Sequence, residues 1–191
     1  KIKGKKPDAV FYGGMDATAG PLLKQARELG IQVPFAFGDG GCTDKMAEFA
    51  GTMAEGMLCS QAGIPVQAAN KKFLDAYKAR FKMDPILYGP FTYDATNLLI
   101  AAMQKAGSSD PAKYLPALAS ISLEGATGHL EFDAKGDRKD AEMTIFTVKA
   151  GKITPLAIVK SGKLIKYEDF IKPATAPTTP TLPTTPADGK K

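Results

Sequence analysis

Asp39 stands alone among glycines in the run FGDGG, residues 37–41. In open α/β sheets the loop after the carboxyl end of a strand is where small ligands usually sit. A single carboxylate there is a partner for a small cation, and Gly38, Gly40 and Gly41 loosen the backbone around it. Tyr88 is the one large ring in the loop MDPILYGP, residues 83–90. Other chemistry is thin. His129 is the chain's one histidine, set in an alternating stretch without a partner constellation, and reads as structural. Asp133, Asp137 and Asp140 do not have the spacing of an EF-hand loop and read as a solvated turn. The chain has no G-x-S-x-G elbow, no P-loop and no Cys/His metal spacing, and FYGGMDATAG is not G-x-G-x-x-G. An enzyme therefore has no positive support, and no cofactor and no metal are expected.

The elements that must position Asp39 are legible upstream of it. Residues 9–12 are short, apolar and aromatic and close on Gly13 and Gly14, as a buried parallel strand does. These two glycines turn the chain whether or not a ligand is near. Asp16 is placed to cap a helix. Leu22, Leu23, Ala26 and Leu29 recur at helical spacing and should share a buried face, and Gly30 suits a left-handed C-cap. Residues 33–37 form a second strand. Thr43 can cap a short helix over 44–50, and an apolar run, 56–59, follows. This path can bring Cys42 and Cys59 together in a disulfide, which would suggest an oxidising compartment; two free thiols are the alternative.

Further along, residues 66–82 read as one amphipathic helix with Val66, Ala69, Phe73, Ala76, Tyr77 and Phe81 inward. Residues 92–106 are apolar nearly all round, so that helix should be sandwiched. Another begins near Asp110 and Pro111, and Pro116 should end or kink it. From Gly125 the period changes to two. GHLEFD, the turn DAKGDRKD and AEMTIFTVK suggest a hairpin-like pair, with a last strand over 153–159. Beyond Phe170 the Thr/Pro-rich stretch has almost nothing to bury and is expected to be an extended, mobile tail.

A chain of 191 residues can hold a real core. The net charge of +5 owes part of its value to end lysines, and no basic aromatic stripe marks a nucleic-acid binder. The sequence has no apolar run of transmembrane length and no signal peptide. It opens KIKGKKPDAV, polar residues leading straight into a strand, and we expect a fragment whose N-terminal portion is absent.

Four stretches in order, DAVFYGGMDATAGPLLKQARELG, FGDGGCTDKMAEFAGTMAEGMLCSQAG, YGPFTYDATNLLIAAM and GATGHLEFDAKGDRKDAEMTIFTVKAGKI, carry a resemblance. The chain resembles the C-terminal half of a periplasmic solute-binding protein of the branched-chain amino-acid type, over roughly residues 7–158. The resemblance implies a type I periplasmic-binding-protein-like α/β fold, with mostly parallel sheets flanked by helices and two lobes, each incomplete here. It assigns residues 1–61 to the second lobe, 62–142 to the first, 143–170 to the return crossing and last strands of the second, and 171–191 to the tail. It implies an ABC importer component that binds an amino acid between the lobes by hinge closure, works with a membrane permease, and resides in the periplasm. A ligand-sensing domain of a receptor with the same fold is the alternative.

Residue roles follow from the same resemblance. Asp39 falls where the family places the acidic partner of the ligand's ammonium group, usually a Glu, so the shorter Asp suggests a shifted pose or an intervening water. Met15 falls where a Tyr is familiar and supplies only an apolar wall. Tyr88 packs on the ligand side chain, and Gly14 and Gly40 line the same site. The Cys42–Cys59 pair matches a disulfide of relatives with this loop. The donors for the ligand carboxylate lie in the part of the family fold that the chain does not match. The isolated chain should therefore bind free amino acids weakly or not at all, and its exposed sheet edges should favour a dimer or strand-swapped assembly.

Overall fold

The structure is a computed structural model that describes residues 1–171. The chain runs α1 (Ile2–Lys5), β1 (Val10–Tyr12), α2 (Asp16–Glu28), β2 (Phe35–Phe37), α3 (Lys45–Ala50), β3 (Leu58–Ala62), α4 (Lys71–Phe81), α5 (Gly89–Ala106) and α6 (Pro111–Ala119). It continues through β4 (Ser122–Gly125), β5 (Gly128–Glu131), β6 (Glu142–Lys149), β7 (Lys152–Lys160), β8 (Lys163–Lys166) and α7 (Tyr167–Phe170).

Six strands form one sheet in the order β1-β2-β3-β6-β7-β8. β1, β2 and β3 are parallel, and this half carries the Asp39 loop. β6 runs antiparallel to β3, from Leu58 opposite Thr147 to Ala62 opposite Met143. The chain thus leaves the sheet along β3 and returns beside it along β6. Phe35 and Phe37 alternate with Ala36, and both rings are buried while Ala36 is not. Burying such a ring contributes roughly 1.5–3 kcal/mol. They pack with Leu23 and Ala26 of α2, Met46 and Ala50 of α3, and Cys59, Phe146 and Val148 of the sheet. Side-chain caps fix the β6–β7 hairpin to this core: Glu55 accepts from the amides of Ala150 and Gly151, and Asp44 from that of Ile153. We refer to this as the sheet region.

The helical region comprises α4, α5, α6 and the β4–β5 hairpin. Its core is Leu98, Ala102, Ile121 and Leu130. In the same region the buried Asp94 carboxylate accepts from the amides of Ala126 and Thr127 at 2.6 and 2.8 Å and from the Thr127 hydroxyl at 2.7 Å. A buried carboxylate is tolerated because each bond replaces lost hydration.

Several sequence expectations are corrected. Asp16 is the first residue of α2 rather than its cap; Met15 holds the cap position. Leu29 faces solvent, while Leu23 and Ala26 are buried as expected. Gly30 does take the left-handed conformation, at φ 76°. Thr43 does not cap α3: Asp44 holds the cap position, and the Thr43 hydroxyl donates to Asp16. The single helix over 66–82 is broken. A 3-10 turn, Val66–Ala68, precedes α4, and Asn70 caps α4 by accepting from the Lys72 amide. The Asn70 amide is itself drawn to the Ala126 carbonyl, 2.7 Å away, a tertiary bond that fixes the break. Ala76 and Phe81 are exposed rather than inward.

α5 begins at Gly89 and is not sandwiched, for Tyr93, Leu99 and Ile100 are exposed. Pro116 lies inside α6 without ending it. β5 pairs with β4, not with β6, because β6 is engaged by β3 and β7. The strand expected over 153–159 is β7, and β8 and α7 extend beyond it. Apart from Ile171, the Thr/Pro-rich tail lies outside the described residues.

Candidate functional site

Two loops meet at the carboxyl ends of β1 and β2. After β1 the chain turns through Gly13 and Gly14 and enters α2 with Met15 extended, at φ −91° and ψ 160°. A β-carbon at Gly14 would meet the outer end of the Tyr12 ring, which would have to swing aside. After β2, Asp39–Gly41 forms a 3-10 turn. A β-carbon at Gly40 would lie 2.5 Å from Met15 Sδ and 3.0 Å from the Gly14 carbonyl oxygen. Gly40 thus admits the Met15 loop against the Asp39 turn. A second tie joins the loops lower down, where the Thr43 hydroxyl donates to Asp16 Oδ2 at 2.7 Å.

The turn is also held from behind. Cys42 and Cys59 form a disulfide with Cα atoms 5.5 Å apart, both residues buried. It ties the residue after the turn to β3. Beneath, a β-carbon at Gly41 would press on Phe37, so the turn rests directly on the core. Asp39 itself is exposed. Its Oδ2 accepts from the Tyr88 hydroxyl at 2.9 Å, across 49 residues of sequence. Tyr88 comes from the loop leading into α5, in the helical region. Burial, and then the hydrogen bond and negative charge of Asp39, raise its phenol pKa above the usual tyrosine value.

The structure therefore brings together all five residues singled out on the sequence: Gly14, Met15, Asp39, Gly40 and Tyr88. Tyr88 meets Asp39 through its hydroxyl, whereas the sequence reading gave it only a ring for packing. Two further residues, Asp16 and Thr43, bind the loops together; their types suggested helix caps and hid this role. A cavity of about 680 Å³ opens beside Tyr88, lined by Ile86, Leu87, Gly89, Thr92, Tyr93, Thr96 and Asn97 as well. A second, of about 630 Å³, lies between α4 and α5 over Phe73, Tyr77 and Tyr93. Neither is lined by Asp39 or Met15. Among the described residues no cluster of three or more His, Cys, Asp or Glu side chains could hold a metal ion, and no helix is long and apolar enough to cross a membrane.

A family model described as periplasmic binding protein matches residues 1–152. The chain belongs to the periplasmic binding protein family. That family is one of solute-binding proteins rather than enzymes, and it is periplasmic. Among its members, the Leu/Ile/Val-binding protein of Citrobacter freundii is 37% identical over 150 residues, which are 76% of this chain and 40% of the relative. The leucine-, isoleucine-, valine-, threonine- and alanine-binding protein of Pseudomonas aeruginosa is 31% identical over 147 residues, 76% of this chain and 39% of the relative. A crystal structure of a leucine binding protein from Thermotoga maritima is similar with a TM-score of 0.71 at 27% identity, covering 88% of this chain and 47% of that one. The branched-chain amino-acid transporter substrate binding protein of Streptococcus pneumoniae, in complex with isoleucine, gives 0.65 at 28% identity, covering 83% and 47%. The chain thus spans about 40% of the length of the curated periplasmic binding proteins it matches.

Proposed function

We propose that this chain is part of the substrate-binding component of an ABC importer for branched-chain or related amino acids. It works in the periplasm and delivers its ligand to a membrane permease. The sheet region is assigned to the second lobe and the helical region to the first, with β3 and β6 as crossing strands. The ligand binds between them by hinge closure. The observation that carries this reading is the Asp39–Tyr88 contact, which joins the two regions at the carboxyl end of a parallel strand.

An amino acid is a zwitterion, and its burial is favourable only when both charges are paired. Asp39 pairs the ammonium group, Met15 walls the site, and Tyr88 closes it from the helical region. This chain carries the ammonium half of that clamp, so its affinity for a free amino acid is weak. A thermal-shift screen of amino acids against the chain and its Asp39→Ala variant tests the assignment. The reading requires aliphatic amino acids to stabilise the parent at high concentration and not the variant. Equal shifts in both would remove Asp39 from the site, and micromolar affinity of the parent would show that the clamp is already complete.

The outer edge of β1 has no strand partner among the described residues, and Phe11 on it is exposed. It supports pairing with a second copy as a dimer or strand-swapped assembly. Light scattering that finds a clean monomer contradicts this part.

A further inference from the structure

Phe73, Tyr77 and Phe81 recur every four residues along α4, and Tyr93 of α5 joins them. Ring centroids lie 5.0 Å apart for Tyr93 and Phe73, 5.8 Å for Phe73 and Tyr77, and 4.6 Å for Tyr77 and Phe81. The four rings make a continuous ladder in the groove of about 630 Å³, with Phe81 and Tyr93 more than half exposed. One exposed ring needs no explanation, whereas a contiguous apolar patch marks an interaction surface. Lys72 and Arg80 line the same groove, and neither has an acidic partner among the described residues. Grooves lined by aromatic rings are the seats of polyproline II segments, which lose little conformational freedom on docking.

The chain itself carries such a segment. Pro177, Pro180, Pro183 and Pro186 recur every third residue in the stretch after Ile171, outside the described residues. A polyproline II helix has three residues per turn, so this spacing sets all four prolines on one edge, about 9 Å apart. The rings of α4 span about 12 Å along the helix axis, enough to seat two successive prolines. Residues 172–191 reach about 60 Å when extended in this form, against roughly 40 Å for the width of a domain of this size. We propose that residues 177–186 dock as a polyproline II helix on the aromatic ladder of their own chain. Tethering holds the segment at a millimolar effective concentration, so a contact of modest strength keeps the ladder covered. Asp188, the only acidic side chain after Ile171, follows Pro186 by two residues and supplies a partner for the Lys72 and Arg80 charges. The seat is separate from the loops at β1 and β2, since neither Asp39 nor Met15 lines the groove.

The test attaches a nitroxide at Ala187→Cys in the 191-residue chain and reads the paramagnetic broadening of backbone amides by NMR. Cys42 and Cys59 are held in their disulfide, so the label goes to residue 187 alone. Broadening is expected across residues 73–81 and at Tyr93, at a level that does not change on dilution. It should be lost when Pro180→Ala, Pro183→Ala and Pro186→Ala are combined. It should fall in Phe81→Ser, which removes the most exposed ring of the ladder. Broadening of equal strength in the combined proline variant would mean that tethering alone brings the segment near, and overturns the proposal. So does broadening that arises only between labelled and unlabelled chains in a mixture, where the occupant is a second copy. Amides of residues 73–81 that stay sharp in the labelled parent overturn it as well.

Discussion

Leu23, Met46 and Met57 are sealed from solvent in the sheet region, whereas Tyr93, Leu99 and Ile100 of α5 stand in it. The contrast runs through both regions. One core extends from Ala19 to Val148 and is crossed by a disulfide; the other consists of Leu98, Ala102, Ile121 and Leu130, in a region that also buries the Asp94 carboxylate. The two sides of the proposed cleft are therefore supported differently. Asp39 is held by a packed and cross-linked platform. Tyr88 is presented by a loop on helices with much apolar surface uncovered. Under the proposed function, recognition of charge falls to the rigid side and adjustment to the ligand to the looser one.

Substitutions can break this contrast. The largest effect is expected for Phe37→Ala, which removes a fully buried ring from beneath the Asp39 turn. A loss of about 3–5 kcal/mol in urea unfolding is expected. A loss below about 1 kcal/mol would mean that the sheet region is no better packed than the helical one. Replacing both Cys42 and Cys59 by Ser opens a loop spanning 17 residues of sequence. In the chain-entropy model this costs about 3 kcal/mol, and amide exchange should quicken in residues 38–42 before it does in β3.

In the helical region, Asp94→Asn puts an amide N–H2 where an oxygen now accepts from backbone or hydroxyl. An unfolding midpoint shift equivalent to about 2 kcal/mol is expected, with the loss confined by exchange to residues 94–130. The smallest effect belongs to Ile100→Ser, on the uncovered face of α5, at under about 0.5 kcal/mol by thermal unfolding. A cost above about 1.5 kcal/mol there would show that this face is covered in solution and that the two regions are more alike than their cores suggest.

The amino-acid sequence made the local elements of the platform legible and left the contacts between distant residues largely hidden. β1, α2 and β2 were readable because each is a short local pattern with its own punctuation: Gly13, Gly14 and Gly30. Asp39 stood out in the sequence as a lone carboxylate among glycines, and the structure sets it in a 3-10 turn after β2. The cysteine pair was open on spacing alone, and the family resemblance favoured the bond that the structure contains. What failed depended on distant partners. Asn70 breaks the expected long helix because its amide meets Ala126. β5 finds β4 rather than β6 because β6 is taken by strands on both sides. The Thr43 hydroxyl donates to Asp16 across the two loops instead of capping α3. The apolar periphery of α5 reported how much surface could be buried, and nothing in its period says what covers it. Tyr88 reaches Asp39 only through the fold that joins the two regions.

The most direct measurement is an amide NMR titration of the chain with leucine, run in parallel on Asp39→Ala. The account predicts weak, saturable shifts at Gly14, Met15, Gly40 and Tyr88 that disappear in the variant. Shifts of equal size in both proteins, or shifts confined to the α4–α5 groove around Phe73 and Tyr77, would contradict it.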